Sequence, residues 1–173
     1  MKSTFIKDEI WMLTINGAFQ RSNVYETLTS EEERNSFKNE LKVFIVNISD
    51  QYVSSSIDEK THIENIKSIK NFTSKFRSLL NGGSLNFGIS QKLLNLYLKY
   101  LWCLDVLKVA PPHFPVDSII QNKLKMKSPY PWTKMNDETE YLKIIQKAKE
   151  ELENSEATNL AELELHLFNR RSS

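Results

Sequence analysis

The chain is organised around two short segments, Gly88-Ile-Ser-Gln-Lys92 and Pro115-Val-Asp117. The first opens a stretch, from about Ile89 to Leu104, in which leucine, tyrosine and tryptophan recur on nearly all sides of a helix. A helix that is apolar all round is expected at the centre of a domain. The second segment follows a proline-rich extended turn and begins the next helix, with Asp117 as its N-cap. These two helices are therefore predicted to form the middle of the fold.

A polar stripe interrupts the central apolar helix. Lys92, Asn95 and Lys99 are spaced three and four residues apart, so they are expected on one face of that helix. Lys92 is expected in the first turn, where the helix dipole and the exposed N–H groups disfavour an ammonium ion. An amine in that position can attack an electrophilic carbon. The structural alternative is a lysine whose stem packs on the core while its amine reaches solvent.

The rest of the chain also has the pattern of helices, which predicts an all-α fold, one compact multi-helix domain over residues 1–173. Ser30 and Glu33 form a capping box, and Asp58 is the expected cap of the following helix. The first helix is expected to bury five residues: Phe5, Ile6, Ile10, Trp11 and Leu13. The other expected helices begin at Ser30, Asp58 and Asp117 or span 137–152 and 159–169, with N-terminal helices (1–57) and C-terminal helices (137–169) packed around a core at 80–125.

Composition argues against several classes of protein. Cys103 is the only cysteine, so no disulfide can form within the chain, as expected for a protein of the reducing cytoplasm. Asp8 and Glu9 lie inside the first apolar stretch, which is not the pattern of a signal peptide. No run of about 18 apolar residues occurs, so no membrane span is expected. Neither metal-ligand spacing nor a phosphate-binding glycine loop is present, so no metal and no cofactor are expected.

The net charge of +1 is unevenly distributed along the chain. Between Lys60 and Lys134, 11 lysines and Arg77 face only three carboxylates, and the flanking segments are acidic. A basic centre between acidic flanks is expected when one face binds a polyanion such as nucleic acid. The alternative is a basic surface that only keeps the protein soluble.

Asp117 is the second candidate for chemistry. As an N-cap, its carboxylate accepts backbone N–H bonds, stays ionised and is rigidly placed. A fixed anion beside a sugar can stabilise an oxocarbenium-like transition state and orient a water or an amine. The residue taken alone is equally compatible with a plain helix cap.

Together the two segments resemble the helix-hairpin-helix DNA glycosylase superfamily, in particular its 8-oxoguanine type. In that family a glycine-containing hairpin precedes a lysine at the start of a helix, and an extended turn ends in a Pro-Val-Asp motif that caps the next helix. The resemblance covers residues 80–125, where Gly88 to Lys92 correspond to the hairpin end and the lysine. Only one glycine of the family's Leu-Pro-Gly-Val-Gly hairpin is in register, and residues 105–113 lengthen the interval to the aspartate.

The resemblance implies that the protein removes a damaged or modified base from duplex DNA after extruding it. Lys92 would be the Schiff-base nucleophile of a lyase, and Asp117 the essential carboxylate. Without the lysine, Asp117 could still activate water for hydrolysis. The candidate DNA contacts are Gly88, Ser90, Gln91, Lys99, His113, Lys123, Lys125, Lys127 and Trp132.

Two other functions stay open at this point. A relative that binds DNA but has lost its chemistry would fit the incomplete hairpin. A helical interaction module, for example in an anti-phage defence or regulatory system, would use its acidic outer helices instead. In that case a protein partner or a second copy, giving a homodimer, would bind the apolar residues of the C-terminal helix: Leu160, Leu163, Leu165, Leu167 and Phe168.

Overall fold

The computed structural model describes residues 2–168, apart from the side chain of Ser3, and confirms the all-α fold. Turns and three short 3₁₀ segments connect the helices, and Tyr25 and Leu80 form an isolated β-bridge. No helix in this part of the chain is long and apolar enough to cross a bilayer. The helices are α1 (Lys2–Phe19), α2 (Glu31–Ser49), α3 (Glu59–Thr73), α4 (Phe87–Cys103), α5 (Ser118–Lys123), α6 (Thr139–Leu152) and α7 (Leu160–Leu167).

The helix starts follow local capping signals. The Ser30 hydroxyl accepts the N–H of Glu33, and the Glu33 carboxylate accepts the N–H of Ser30 at 2.8 Å, so the predicted capping box is confirmed. Asp58 caps α3 as expected. The start of α4 is different, because Asn86 is its N-cap and the helix begins at Phe87 rather than near Ile89. The predicted end of the last helix, at Asn169, lies outside the described residues.

Helix α4 lies at the centre of the fold, as its composition predicts. Leu93, Leu94 and Leu98 are completely buried, and α4 packs against α1, α2 and α3. Helix α1 comes especially close to it, because a Cβ atom on Gly17 would lie 2.9 Å from the Cδ1 atom of Leu96. The close approach places the end of α1 beside the polar face of α4.

The buried face of α1 differs from the expected one. Ile10 and Trp11 are buried, but Phe5 and Leu13 are 62% and 53% exposed, and Ile6 is exposed as well. The residues that complete the buried face are Thr14, Ile15 and Ala18. Apolar residues occur on most sides of α1, so helical periodicity alone does not select the face that packs against α4.

The apolar residues of α7 are divided between the core and the surface. Leu160 and Leu163 are buried in the core, whereas Leu165 is exposed and Leu167 is partly buried. The expected partner surface on this helix is therefore reduced to its outer side. Leu160 and Leu163 already pack inside this chain, so they are not free to contact a partner.

Folding pairs much of the basic centre with the acidic flanks. The ammonium groups of three central lysines lie within 2.6–2.8 Å of carboxylates from residues before 60 or after 134. The uneven charge along the sequence is thus partly neutralised in the tertiary structure, and it does not by itself define a basic face. These pairs are Lys67–Glu138, Lys75–Glu40 and Lys99–Glu164.

Candidate functional site

The structure brings the side chains of Lys92 and Asp117 into contact. The Nζ atom of Lys92 donates to Oδ2 of Asp117 at 3.0 Å. Their side chains are only 6% and 16% exposed, and both line one open cleft of about 590 Å³ between α1, α4, α5 and α7. We call this space the Lys92 cleft.

Gln91 fixes the position of the aspartate motif. Its amide Nε2 donates to the Val116 carbonyl at 2.8 Å, and its Oε1 accepts the Val116 N–H at 3.1 Å. The neighbouring Asp117 uses its other oxygen, Oδ1, to accept the N–H of Ile120 at 3.0 Å. Two consecutive residues of α4, Gln91 and Lys92, therefore hold two consecutive residues of the motif, and the carboxylate has little freedom to move.

The Lys92 amine is held from a second side by Trp132. Its Nζ atom lies 4.4 Å from the centre of the Trp132 ring, a cation–π distance. Trp132 belongs to a 3₁₀ turn that packs on the start of α4, where the N–H of Gly88 donates to the Met135 carbonyl at 3.0 Å. Only glycine permits this packing, because a Cβ atom at position 88 would lie 1.7 Å from the Trp132 carbonyl oxygen.

The expectation that Lys92 occupies the first turn of its helix is wrong. Helix α4 begins at Phe87, so Lys92 lies in the second turn, where the helix dipole acts more weakly. Of the N–H groups at the start of α4, that of Gly88 donates to Met135 and that of Ile89 to the side chain of Asn86. Gly88 and Ser90, which the sequence suggested for the end of a phosphate-binding hairpin, are both buried.

Several other residues that the sequence suggested for DNA contacts are inside the protein. Gln91, His113 and Trp132 are 0%, 1% and 2% exposed, so none of them reaches a base in this conformation. Lys125 and Lys127 are accessible, but they line a different groove, beside α6. Lys123 is exposed at the end of α5 and does not line the Lys92 cleft, whereas Lys99 does.

A second ion pair lines the same cleft. The Lys99 amine donates to Oε1 of Glu164 at 2.8 Å and lies 2.6 Å from Oε2, and the Glu164 side chain is only 3% exposed. Burial raises the pKa of Glu164 above its usual range, and the positive charge of Lys99 partly offsets this increase. The Lys99 amine also lies 4.5 Å from the centre of the Phe168 ring, which forms part of the cleft wall.

Glu164 is the site residue that the sequence interpretation missed. It falls at the fourth position after Leu160 on the buried face of an amphipathic helix, where leucines would be expected. A carboxylate at a core-facing position rarely stays buried without a partner, so this irregularity was the available signal. Its partner is 65 residues away in sequence and could not be identified from spacing.

The Lys92 cleft combines four charged groups with an apolar rim. Its polar floor holds two ammonium and two carboxylate groups, and Leu13, Ile119 and Leu165 are exposed at its edge. Its volume lies within the range of sites for small molecules, roughly 300–1,000 Å³. The arrangement places an amine and a fixed carboxylate together on the wall of a cleft that also offers apolar surface.

Asn95 does not lie on the polar stripe with Lys92 and Lys99. Its side chain is completely buried and points to a hydrogen-bonded network on the other side of α4. Asn95 Nδ2 donates to the Tyr141 hydroxyl at 3.0 Å, and its Oδ1 lies 3.0 Å from Nε2 of His62. Asn95 therefore links α4 to α3 and α6, and its role is structural.

The two histidines of this network are buried and neutral. His113 lies 3.0 Å from the Tyr141 hydroxyl and 3.1 Å from the Glu59 carboxylate, and it is not at the DNA-facing surface that the sequence suggested. Desolvation lowers the pKa of His62 to about 3, and a proton on the neighbouring His113 would lower it further. Desolvation also lowers the pKa of His113, although Glu59 opposes this effect.

We expect these histidines to make the fold sensitive to acid. The unfolded chain binds protons at both imidazoles near pH 6.5, whereas the folded chain does not, so the free energy of unfolding falls as the pH decreases from about 7 to 5. Each histidine contributes up to about 1.4 kcal/mol per pH unit. Urea unfolding at several pH values measures the slope of the free energy of unfolding against pH. His113→Gln should reduce that slope by the amount that corresponds to about one bound proton.

The exposed His166 provides the matched control, since His166→Gln should leave the pH slope unchanged. Proton NMR of the folded protein gives an independent check on the imidazoles themselves. Resonances of His62 or His113 that titrate near pH 6.5 in the folded state would contradict the explanation.

Within residues 2–168 no group of three or more histidine, cysteine, aspartate or glutamate side chains is arranged to hold a metal ion. The candidate site consists of two ion pairs, the Lys92 cleft that they line, and the residues that hold them in position. Comparisons with protein-family models, with curated proteins and with solved structures give no significant match to this chain.

Proposed function

We propose that this protein removes a damaged or modified base from DNA, with Asp117 as the essential carboxylate and Lys92 as the attacking amine. The observation that carries the proposal is the 3.0 Å contact between Lys92 Nζ and Asp117 Oδ2 on the wall of an open cleft of about 590 Å³. An extruded nucleotide brings its base and its sugar into such a cleft. The resemblance of the two sequence segments to DNA glycosylases points to the same reaction.

The pair has a defined role at each step. Asp117 takes a proton from Lys92, and the freed lone pair of Nζ forms a bond to the sugar carbon C1′. The glycosidic bond breaks, and the base leaves with the bonding electrons and receives the proton from Asp117. Asp117 then removes a second proton from Nζ, the sugar ring opens with protonation of O4′, and an iminium ion links Lys92 to C1′.

The rigid placement of the carboxylate supports this role. Asp117 is fixed by the N–H of Ile120 and by the clamp of Gln91 on Val116, so its charge is already oriented before substrate binds. Preorganised charge of this kind stabilises an oxocarbenium-like transition state without a cost of reorganisation. If the amine does not attack, the same carboxylate can activate a water molecule, and the product is then an abasic site.

Borohydride trapping tests the proposal. Wild-type protein is incubated with duplex oligonucleotides that each carry one damaged or modified base, and borohydride reduces any iminium ion to a stable covalent complex. We expect base release from at least one oligonucleotide and a covalent complex in denaturing gels for the same oligonucleotide. Neither release nor trapping across the panel would overturn the proposed activity.

A helical interaction module is the second candidate, and the exposed apolar face of α1 favours it. Phe5 and Met12 are 62% and 52% exposed, and Leu13, which lines the Lys92 cleft, is 53% exposed. Isolated exposed apolar residues are common, but several on one helix mark a surface for a partner. A DNA affinity weaker than millimolar at moderate salt, together with no base release, would favour this second function.

A further inference from the structure

A second pocket lies beside the Lys92 cleft, and its charge is different. It has a volume of about 500 Å³ and is formed by the end of α1, the end of α3, the turn before α4 and the turn that carries Trp132. Arg21, Lys70 and Lys134 line it, and its described lining residues include no aspartate or glutamate. Amide and hydroxyl side chains, among them Ser84 and Asn86, provide most of the remaining polar surface.

The three cations of this pocket are not used in ion pairs within the described chain. Arg21 and Lys134 are exposed, and no carboxylate oxygen of residues 2–168 lies within 4.0 Å of their charged groups or of the Lys70 amine. Lys70 donates one hydrogen bond, to the carbonyl of Asn136 at 3.0 Å, which leaves two of its N–H groups for another acceptor. The positive charge of Lys70 does act on Asp137, whose pKa is lowered first by hydrogen bonds from Thr139 and also by Lys70.

The backbone also gives a ligand close access. Gly82 and Gly83 both have positive φ angles, 77° and 79°, a conformation that only glycine adopts without strain. A Cβ atom at Gly82 would meet no atom within 4 Å, so glycine is required there for the turn and not for packing. The resulting turn borders the pocket with side-chain-free backbone at Gly82.

We propose that this pocket binds a phosphate group, through Arg21, Lys70 and Lys134. Three cations without a compensating carboxylate favour an anion, and a tetrahedral oxyanion has enough acceptors for donors from several directions. The pocket does not depend on chemistry at Lys92, so it can bind phosphate whether or not the protein excises bases. Gln20 lines the Lys92 cleft and the next residue, Arg21, lines this pocket, which places the two sites side by side.

Titrations of the full-length protein with inorganic phosphate, with a deoxynucleoside 5′-monophosphate and with the matching deoxynucleoside test the proposal. In two-dimensional NMR spectra we expect the phosphate-bearing ligands to shift the amide signals of Gly82, Gly83 and Ser84, and the deoxynucleoside to leave them unchanged. The double variant Arg21→Gln/Lys134→Gln should weaken phosphate binding by about tenfold or more. Both substitutions are at exposed positions, so the fold should be retained.

The matched control removes the same charge elsewhere. Lys60→Gln/Lys143→Gln changes two exposed lysines that do not line the pocket, and it should alter phosphate affinity by less than about twofold. An equal loss in this control would show a general charge effect and would overturn the proposal. Unchanged NMR signals at residues 82–84 in wild-type protein, at millimolar concentrations of every phosphate ligand, would also overturn it.

A single-stranded DNA oligonucleotide distinguishes the source of the phosphate. For a phosphate of the DNA backbone, the slope of log affinity against log salt should become shallower by about 1.4 in the Arg21→Gln/Lys134→Gln variant, about 0.7 for each cation that no longer contacts the single strand. For a free phosphate or mononucleotide, the small ligands should bind and the slope for DNA should be unchanged. Either result supports the pocket when the small phosphate ligands also shift the signals of residues 82–84, whereas no binding of the small ligands contradicts it.

Discussion

Replacing Asp117 by Asn is expected to slow base release by about a hundredfold or more, because it removes the preorganised charge at the reacting sugar. The cap of α5 should tolerate the change. Asparagine caps helices as well as aspartate does, so the hydrogen bond to the N–H of Ile120 can be kept. The measurement is the single-turnover rate of base release, on the oligonucleotide that wild-type protein processes best. Thermal unfolding of the variant shows whether a lower rate reflects chemistry or loss of structure.

Lys92→Arg is the companion variant. It keeps a positive charge beside Asp117, but a guanidinium group cannot form the iminium ion, so the borohydride trap should be lost completely. Some base release should persist if Asp117 activates water in the absence of the amine. Trapping that survives in Lys92→Arg would assign the nucleophile to another residue, and an unchanged rate in Asp117→Asn would remove the carboxylate from the mechanism.

The largest effect on stability is expected from Gly88→Ala. The new Cβ atom would lie 1.7 Å from the carbonyl oxygen of Trp132 and 2.9 Å from its carbonyl carbon. Both are backbone atoms, so the turn at residues 132–134 must move away from α4, and the hydrogen bond between Gly88 and Met135 is weakened. We expect the free energy of unfolding to fall by about 3 kcal/mol, as measured by urea denaturation.

Gly17→Ala is the matched control, because it also places an alanine at a helical glycine with a close neighbour. Its Cβ atom would lie 2.9 Å from Cδ1 of Leu96, the flexible end of a side chain that can rotate away. Alanine also gains about 1 kcal/mol of helix propensity over glycine, so the net change should be small. Equal losses of stability in the two variants would show that the contact with the Trp132 backbone is not tight.

Local signals in the sequence predicted most of the helix boundaries. Ser30 with Glu33, Asp58 and Asp117 all cap the helices expected of them, because a cap depends only on the residues three positions away. The fold class followed from the same kind of local information. The start of α4 was misplaced because Asn86 is itself a favourable capping residue, and the helix expected over 137–152 begins two residues later, at Thr139.

The site was only partly predictable, for reasons of tertiary packing. Periodicity placed Asn95 on the face of Lys92 and Lys99. Side chains three or four residues apart still point in somewhat different directions around the helix axis, so they can contact different neighbours. The positions of Trp132 and Glu164 beside the two lysines depend on contacts 40 and 65 residues away in sequence. No local pattern contains that information.

Gln91 is hydrogen-bonded to both the N–H and the carbonyl of Val116. The geometry of the cleft therefore does not depend on the length of the connection that precedes Val116. At its exposed positions, residues 104–106 and 108–109, the connection can be lengthened or shortened, and Asp117 still returns to the same place because its neighbour Val116 is hydrogen-bonded to α4. Variation at those exposed positions would then leave the position of the carboxylate unchanged, whereas the buried Leu107, His113 and Phe114 must stay in the core. A substitution at Gln91, by contrast, would release Val116 and so displace the Asp117 carboxylate.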